Sequence, residues 1–430
     1  MSDHQQKESV NRRLLLVSLF IGTTIEWYDF LVFGFLGPVV FNQLFFPRLD
    51  PVAGTIAVFG IFWAGFLARP IGGIVFGHYG DRLGRKPVMI ITLTMMGLAT
   101  AAMGFLPTYD AIGVWAPVLV LVLRFLQGFA LGGESTGAPV YIAESAPAQK
   151  RGLFASIIQS GGQAGIVLGT IATSLVVLLP RDLLLSWGWR IPFIVSLALA
   201  LVAYYIRSKA EESPVFLKAQ ERRLQPYPLI GAFKKAPKAL LIIFFCSIAD
   251  SITPFFVGVF GINYAVETLH LERAPLLYAA AVSNFLGVLT FPLIGTISDR
   301  VGRRPVIATG LILMALYMLF AFFPLLKSGN PMLAYLALSL PVIFLSPIPF
   351  AVNGSFYAEL FDEASYRFSG AAFARQLGTA CGGGATPLIA ASLLSGFNGN
   401  VTIVAIYYAA VCVIALIAVA VARETRARQM

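Results

Sequence analysis

The chain has 430 residues, of which 58% are hydrophobic and 12% are charged, and its mean hydropathy is +0.80. This composition excludes an ordinary soluble domain, in which about 25% of residues are charged. A net charge of +10 would suggest a nucleic-acid partner in a soluble protein, but here the basic residues concentrate between apolar runs. We therefore expect a membrane protein whose charged neighbour is phospholipid and not nucleic acid.

Twelve apolar runs are long enough to cross a bilayer as helices, which requires about 20 residues each. In chain order they cover residues 14–40, 52–79, 87–106, 114–141, 152–179, 190–206, 238–266, 275–297, 305–326, 332–357, 368–395 and 400–422. An even number of spans places both termini on one side. Most Lys and Arg residues lie on that side, and the opposite loops contain few: Arg48, Arg181, Arg273 and Lys327. The positive-inside rule therefore predicts cytoplasmic termini.

A polar segment between the sixth and seventh runs divides the chain. It predicts a first six-helix bundle over 1–206, a cytoplasmic linker over 207–237 and a second six-helix bundle over 238–430. We expect no cleaved leader, because the first apolar run is too long for a signal-peptide core and lacks a small-residue cleavage site. The three cysteines lie inside apolar runs without C-x-x-C spacing, so neither a disulfide framework nor a metal site is expected.

A ten-residue cassette of the form G-x-x-x-D-R-x-G-R-[KR] occurs once in each half. It covers 77–86 between the second and third runs and 295–304 between the eighth and ninth. Asp81 and Asp299 can accept hydrogen bonds from free N–H groups at a helix start, where negative charge is favoured. The basic members can pair with acids at neighbouring helix ends. The pairing residues expected on this side are Arg82, Arg85, Arg300 and Arg303, with Glu144 and Glu359 as acids.

Seven ionisable residues lie inside the predicted spans. The acids are Glu26, Asp29, Glu134 and Asp250, and the bases are Arg69, Arg124 and Arg375. Each would cost about 2.5–3.5 kcal/mol near the bilayer centre, so seven facing lipid would cost roughly 20 kcal/mol. That exceeds the stability of a typical fold. We therefore expect them to face a hydrated cavity or one another, either as a substrate and proton pathway or as structural pairs.

Depth in the membrane pairs two of these residues. Asp29 lies about eleven residues from the outer end of its helix and Arg124 about ten residues from the same face, so both lie roughly 15 Å deep. We expect an Asp29–Arg124 ion pair, either as a proton-coupling switch or as a permanent structural pair. Glu26 lies one turn from Asp29 on nearly the same helix face, as a second proton acceptor or as a group that tunes Asp29. Asp250, in the seventh span, is a candidate for proton or substrate contact or for a structural pair.

Several sequence blocks resemble a known family over essentially the whole chain. They are residues 26–30 (E-W-Y-D-F), 68–73 (A-R-P-I-G-G), 124–128 (R-F-L-Q-G), 186–193 (S-W-G-W-R-I-P-F), 211–214 (E-E-S-P) and 366–370 (Y-R-F-S-G). On these blocks the chain resembles the major facilitator superfamily, and within it the metabolite:proton symporter group. Members of that group carry shikimate, oxoglutarate, citrate, betaine or proline.

The resemblance implies an all-α membrane fold of two pseudo-symmetric six-helix bundles that rock around a central site. It also implies that the two cassettes act as latches that close the cytoplasmic side. Proton-driven sugar porters of the superfamily pair an acid on the first helix with an arginine on the fourth, which supports the Asp29–Arg124 pairing. Arg375 departs from the uncharged residue that similar sequences carry near this point. It favours an anionic substrate, because its planar fork can grip a carboxylate with two bonds.

Other side chains are candidates for the substrate site. Arg69 is a substrate contact or scaffold, and Arg124 and Arg375 are the other cationic candidates. Tyr28 and Tyr264 are aromatic candidates, although packing is the commoner role of aromatic residues in this composition. Gln159, Gln163 and Asn284 are neutral hydrogen-bonding groups at hydrocarbon depth, which join helices or bind substrate hydroxyls.

The function that these observations favour is proton-coupled import of a small organic acid anion across a bacterial inner membrane by a monomer. A zwitterion porter for betaine or proline, a proton-independent facilitator and a transporter-shaped receptor are the alternatives. No nucleophile–base or metal-ligand pattern indicates an enzyme. No phosphate-binding G-x-x-x-x-G-K-[ST] sequence occurs, so we expect the proton gradient, and no cofactor, to supply the energy.

Overall fold

The structure is a computed structural model, and it describes residues 3–208 and 228–426. Within these ranges twelve helices are long and apolar enough to cross a membrane, and no residue is in a strand. In chain order they are α1 (Asp3–Leu36), α2 (Pro51–Leu83), α3 (Arg85–Gly104), α4 (Trp115–Ser145), α5 (Arg151–Val177), α6 (Ile191–Ser208), α7 (Pro237–Glu267), α8 (Arg273–Val301), α9 (Arg303–Leu326), α10 (Pro331–Glu359), α11 (Tyr366–Gly396) and α12 (Val401–Val421). The predicted fold class is confirmed.

A short amphipathic helix, Pro228–Lys235, lies inside the segment that was predicted as the linker, 207–237. It ends two residues before α7 begins, so a short helix leads into the second half. The predicted residues 209–227 of the linker lie outside the described part of the chain.

The two cassettes adopt the same backbone turn. Gly84 and Gly302 have φ angles of 111° and 118°, a region that residues with a Cβ rarely adopt. Each glycine ends one transmembrane helix and lets the next begin at the following residue, at Arg85 and Arg303 respectively. The sequence repeat is therefore also a structural repeat.

Helices α2 and α4 pack with their backbones in contact. A Cβ at Gly128 would lie 1.9 Å from the carbonyl oxygen of Gly65, and one at Gly132 would lie 2.1 Å from the carbonyl oxygen of Arg69. A glycine on α5 has the same role. A Cβ at Gly165 would lie 2.3 Å from the carbonyl oxygen of Thr24 on α1. Small residues allow this approach where lipid gives no hydrophobic drive between helices.

The two halves meet at the end of the molecule where α1 begins and α12 ends, which we call the terminal face. Gly77 of α2 lies against Ser369 of α11, and a Cβ at Gly77 would be 3.2 Å from the Cα of that serine. On the other side of the pseudo-symmetry axis, a Cβ at Gly295 of α8 would lie 2.6 Å from the carbonyl oxygen of Gly152 of α5. The terminal face is therefore closed by two close helix contacts.

Substitution of Gly128 tests the backbone contact between α2 and α4. We expect Gly128→Ala to destabilise the protein by about 1–3 kcal/mol, because the methyl group must displace the backbone of α2. The measurement is the melting temperature of the purified protein in detergent, with Gly60→Ala as the control. Gly60 lies on α2 with open space around its missing Cβ. Equal melting temperatures for the two variants would contradict the packing.

Candidate transport site

A central cavity lies between the halves and has two connected chambers. The inner chamber, nearer the terminal face, occupies about 710 Å³ including its part open to solvent. It is lined from the first half by Thr23, Glu26, Trp27, Phe30, Phe66, Arg69 and Gln159. From the second half it is lined by Ser247, Asp250, Ser251, Phe255, Phe350, Arg375, Gln376 and Thr379.

The outer chamber extends from the midplane away from the terminal face and is more apolar. Leu31 and Phe35 of α1, Ile166 of α5 and Val257 of α7 are among its walls, together with Leu277 of α8. The two chambers share five lining residues. These are Trp27, Gln159, Asp250, Phe255 and Phe350. Asp250 therefore lies where a solute would pass from the outer chamber to the inner one.

Four ionisable side chains face the inner chamber, two from each half. Glu26 and Arg69 come from α1 and α2, and Asp250 and Arg375 come from α7 and α11. The sequence predicted that all four face a hydrated cavity or one another, and the fold brings them to one cavity. A water-accessible cavity removes most of the cost of burying these charges in hydrocarbon.

Asp250 is held by helix α10. Its Oδ2 accepts a hydrogen bond of 2.9 Å from the hydroxyl of Tyr357 and another from the side-chain amide of Asn353. It makes no ion pair with Arg375 within 4.0 Å, although both side chains are described and line the same chamber. A structural pair of Asp250 therefore does not form with Arg375.

Asp29 does not face the cavity. Its side chain has no exposed surface and lies inside the first half, where Thr100 of α3 donates a 3.0 Å hydrogen bond to its Oδ2. Ser196 of α6 donates to its Oδ1. Sequence analysis missed both hydroxyls, because serine and threonine are common in apolar helices and nothing in their spacing links them to Asp29.

Arg124 is also fully buried, and the expected direct ion pair with Asp29 is absent: no contact within 4.0 Å joins these two described side chains. Its Nη1 donates to the side-chain oxygen of Gln127, one turn further along α4. Its guanidinium lies over the rings of Phe30 and Phe33, 4.7 Å and 4.2 Å from their centroids. Equal depth in the membrane does not make two residues face each other, because it does not fix the rotation of each helix about its axis.

Aromatic rings separate Arg124 from the inner chamber. Phe30 and Phe66 line the chamber, and Phe255 of the second half packs edge-on against Phe66 with centroids 5.4 Å apart. Arg69 lies over the same rings, 4.5 Å from the centroid of Phe30 and 4.3 Å from that of Phe66. The ring of Phe30 thus contacts both guanidinium groups. A buried cation that lacks a carboxylate is stabilised in part by such ring contacts.

Three predicted substrate contacts are not in the cavity walls. Arg124 is sealed behind Phe30, as described above. Tyr28 is buried and its hydroxyl donates a 2.9 Å hydrogen bond to the carbonyl of Pro192 on α6. Tyr264 packs against Phe260 and Phe323 within the second half. The three neutral candidates do line the cavity. Gln159 faces both chambers, and Gln163 and Asn284 face the outer chamber.

An ionic cluster holds the second cassette at the terminal face. The Asp299 carboxylate accepts 2.9 Å hydrogen bonds from the backbone N–H groups of Gly152 and Leu153, at the start of α5. The buried Arg303 pairs with Asp299 at 2.8 Å and with Glu359 at 3.2 Å. Asp299 therefore connects the second half to the helix N-terminus of the first, an arrangement that the sequence allowed for both cassette acids.

The chain after α12 completes this cluster and was missed by sequence analysis. Glu424 accepts hydrogen bonds from the backbone N–H groups of Arg303 and Arg304, 2.9 Å and 3.0 Å long, and so caps α9. Burial acts to raise the pKa of Glu424, but these bonds and those from Thr425 and Arg426 outweigh it and lower the pKa. The one sequence signal for this role is an acidic residue shortly after the last apolar run.

The structure describes the side chains of only some of the other residues predicted for this face. The side chains of Asp81, Arg85 and Glu144, and of Glu134 in α4, lie outside the described part of the structure. Arg82 and Arg300 are exposed. Arg300 has no carboxylate within 4.0 Å among the described side chains, and of the cassette arginines it is Arg303 that pairs with Glu359.

Comparison with known proteins identifies the family. A family model described as "Sugar (and other) transporter" matches residues 14–226. The shikimate transporter of Escherichia coli (strain K12) is 40% identical over 415 residues, covering 94% of this chain and 92% of the relative. The chain belongs to the major facilitator superfamily. It is therefore a transporter and not an enzyme.

Two further comparisons agree with this assignment. The inner membrane metabolite transport protein YhjE of the same strain is 37% identical over 437 residues, covering 99% of this chain and 97% of the relative. A solved structure of the proton:xylose symporter XylE, bound to 6-bromo-6-deoxy-D-glucose, aligns with a TM-score of 0.80 at 20% identity. The alignment covers 98% of both chains. This last similarity shows the shared fold.

Substitution of Asp299 tests the closure of the terminal face. Asp299→Asn removes the negative charge from the start of α5, an interaction of about 0.3–1 kcal/mol at exposed sites and up to about 2 kcal/mol when partly buried. We expect the face to open more often. In a variant whose three cysteines are replaced by serine, a thiol reagent added on the terminal side should then label Thr23→Cys faster.

Asp362→Asn is the matched control, because Asp362 pairs with Arg423 within the second half and is exposed. Labelling of Thr23→Cys that is equally slow with and without Asp299→Asn would show that this carboxylate does not hold the face closed.

Proposed function

We propose that the protein is a proton-coupled symporter that carries a small organic acid anion across a bacterial inner membrane by alternating access. The observation that carries this proposal is the inner chamber, where Arg69 and Arg375 from opposite halves face one cavity. Two guanidinium groups can bind one carboxylate, or the two ends of a dicarboxylate, with charge-assisted bonds. An anion bound between them would connect the halves, so that its arrival favours their rearrangement together.

The remaining polar groups of the chamber suit a hydroxylated carboxylate. Ser247, Ser251, Thr379, Gln159 and Gln376 offer hydroxyl and amide groups around the two arginines. The hydroxyls of Ser247, Ser251 and Thr379 already donate to protein acceptors, whereas Gln376 Nε2 has no hydrogen-bond partner. An oxygen of a bound substrate would satisfy this amide. The name of the shikimate relative supports this chemistry, and that of YhjE supports the inner membrane as the location.

The proton is carried by the intramembrane acids. Asp250, at the junction of the chambers, is within reach of a proton entering from the outer chamber. Asp29 lies inside the first half, outside the cavity, and we assign it the coupling role. Its protonation changes the electrostatic field at the sealed Arg124 and so favours one arrangement of the first half. Glu26 lines the inner chamber and is the third acid of the pathway.

A zwitterion porter is the second candidate, because the chamber presents two carboxylates as well as two guanidinium groups. Betaine and proline each carry one positive and one negative group. The buried acids disfavour a proton-independent facilitator, which would gain nothing from the cost of holding them in the membrane.

Transport by the purified protein tests the proposal. In proteoliposomes, an inward proton gradient should drive accumulation of one or more organic acids from a panel that also contains betaine and proline. We expect Asp29→Asn to retain exchange of preloaded substrate and to lose accumulation driven by the gradient, because the neutral side chain cannot change its charge. Asp110→Asn, at an exposed position in the short helix Tyr109–Ile112, is the control. Undiminished accumulation by Asp29→Asn would remove Asp29 from the coupling role.

Arg375 tests the anionic character of the substrate. We expect Arg375→Ala to weaken binding of the anion by about 1.5–3 kcal/mol, the range for a hydrogen bond to a charged group. The measurement is a binding titration of the purified protein, with Arg181→Ala as the control. Arg181 is exposed and bonds Gln43 outside the cavity. Equal affinity in the wild type and Arg375→Ala would assign Arg375 to the scaffold.

A further inference from the structure

An unbroken chain of hydrogen bonds connects Asp29 to Arg124 through two neutral side chains. Arg124 Nη1 donates to Gln127 Oε1, and Gln127 Nε2 donates to Thr100 Oγ1 over 2.7 Å. The hydroxyl of Thr100 then donates to Asp29 Oδ2 over 3.0 Å. All four side chains are at most 1% exposed.

The donors in this chain all point the same way, from the guanidinium to the carboxylate. Gln127 has its oxygen towards the cation and its N–H towards Thr100, and the opposite amide orientation would place an N–H group against the guanidinium. Hydrogen bonds aligned in this way polarise one another, and the low dielectric of a buried site strengthens the effect. The charge of Asp29 is thus felt at Arg124 without direct contact.

Thr100 is the residue at which this series of hydrogen bonds can rearrange. Its hydroxyl has one proton and two acceptors within reach, Asp29 Oδ2 at 3.0 Å and the carbonyl oxygen of Met96 at 2.9 Å. An ionised carboxylate is the stronger acceptor. Once Asp29 is protonated it becomes a donor, and the Thr100 hydroxyl is then free to bond Met96 alone.

Arg124 is poised to respond to such a change. Its Nε and Nη2 have no hydrogen-bond partner, and Gln127 is the acceptor that fixes its Nη1. The rest of the guanidinium is surrounded by the rings of Phe30, Phe33 and Phe62. If the hydrogen bond to Gln127 weakens, Arg124 is a buried cation with no N–H group held by an acceptor. This favours movement of its guanidinium group past Phe30 towards the inner chamber.

We propose that Thr100 and Gln127 are positioning residues that transmit the protonation state of Asp29 to Arg124. The inference rests on the proposed proton symport and adds the residues that connect proton to substrate. No proton travels along the chain to Arg124. The proton that enters stays on the carboxylate and the hydroxyl of Thr100 reorients, while Gln127 keeps its orientation and its hydrogen bond to Arg124 weakens.

The groups around this chain are mostly neutral. Facing Asp29 are Thr100 of α3 and Ser196 of α6, with Arg124 of α4 as the charged group that acts on it. Tyr28 is the titratable neighbour on α1. Arg69 acts on Arg124 from the chamber side. Within the first half, the ionisation of Asp29 is thus the change of charge that acts on this series of hydrogen bonds.

Thr100→Val tests the proposal, because it removes the hydroxyl and keeps the shape. Two assays are compared in proteoliposomes: accumulation driven by a proton gradient, and exchange of preloaded substrate at equal pH on both sides. We expect gradient-driven accumulation to fall about tenfold, equivalent to the loss of one hydrogen bond to a charged group. Exchange should remain, and its dependence on pH should flatten.

Matched variants separate transmission from a structural effect. Thr100→Ser keeps the hydroxyl and should restore accumulation and the pH profile. Thr94→Val removes the same type of intrahelical bond from an exposed position on α3 and should behave as the wild type. Gln127→Leu breaks the chain at its second member and should reproduce the Thr100→Val phenotype, which keeps the test available if Thr100→Val does not fold.

The outcomes distinguish this inference from the proposed function. If the wild type accumulates substrate on a proton gradient and both Thr100→Val and Gln127→Leu do so equally well, the relay is wrong and the symport stands. If the variants lose exchange and accumulation together, and Thr100→Ser does not restore them, the residues are structural and the inference is overturned. Absence of gradient-driven accumulation in the wild type refutes the proposed function itself.

Discussion

Two opposite charges are buried in the first half of this transporter and do not touch. Asp29 is satisfied by Thr100 and Ser196, and Arg124 by Gln127 and aromatic rings. A direct pair would be stabilised by strong attraction in a low dielectric and would resist rearrangement. Separation by neutral hydrogen-bonding groups keeps the attraction between Asp29 and Arg124 weaker. The attraction then depends on the hydrogen bonds made by the side chains between them. The proposed coupling depends on this separation.

The cavity differs from this sealed pair in being shared between the halves. Arg69 and Glu26 come from one half, and Arg375 and Asp250 from the other, so occupation of the inner chamber acts on both. Phe30 lies between the two systems: it lines the chamber, and its ring contacts the guanidinium groups of both Arg69 and Arg124. A small movement of one phenylalanine would therefore change the surroundings of Arg69 in the chamber and of the sealed Arg124 together.

At the terminal face, close backbone contact between helices is combined with a carboxylate that bridges the halves. Gly152 and Gly295 let α5 and α8 approach closely, and Asp299 then reaches the free N–H groups at the start of α5. Pairing within the second half, through Arg303, Glu359 and the capping Glu424, holds that carboxylate in place. Asp299 reaches the first half through two backbone hydrogen bonds, while the ion pairs of Arg303 with Asp299 and Glu359 lie within the second half.

The sequence by itself determined the twelve spans, the two related halves and the set of charges inside the membrane, because hydrophobic length and repeated motifs are local properties. It also identified Glu26, Arg69, Asp250 and Arg375, which the fold brings to one chamber. Only the tertiary structure decided that Asp29 and Arg124 are separated, that Tyr28 faces α6, and that Thr100 lies between α1 and α4. Depth follows from counting residues at 1.5 Å each, but partners depend on how each helix is rotated about its axis, and neighbouring residues on a helix differ by about 100°.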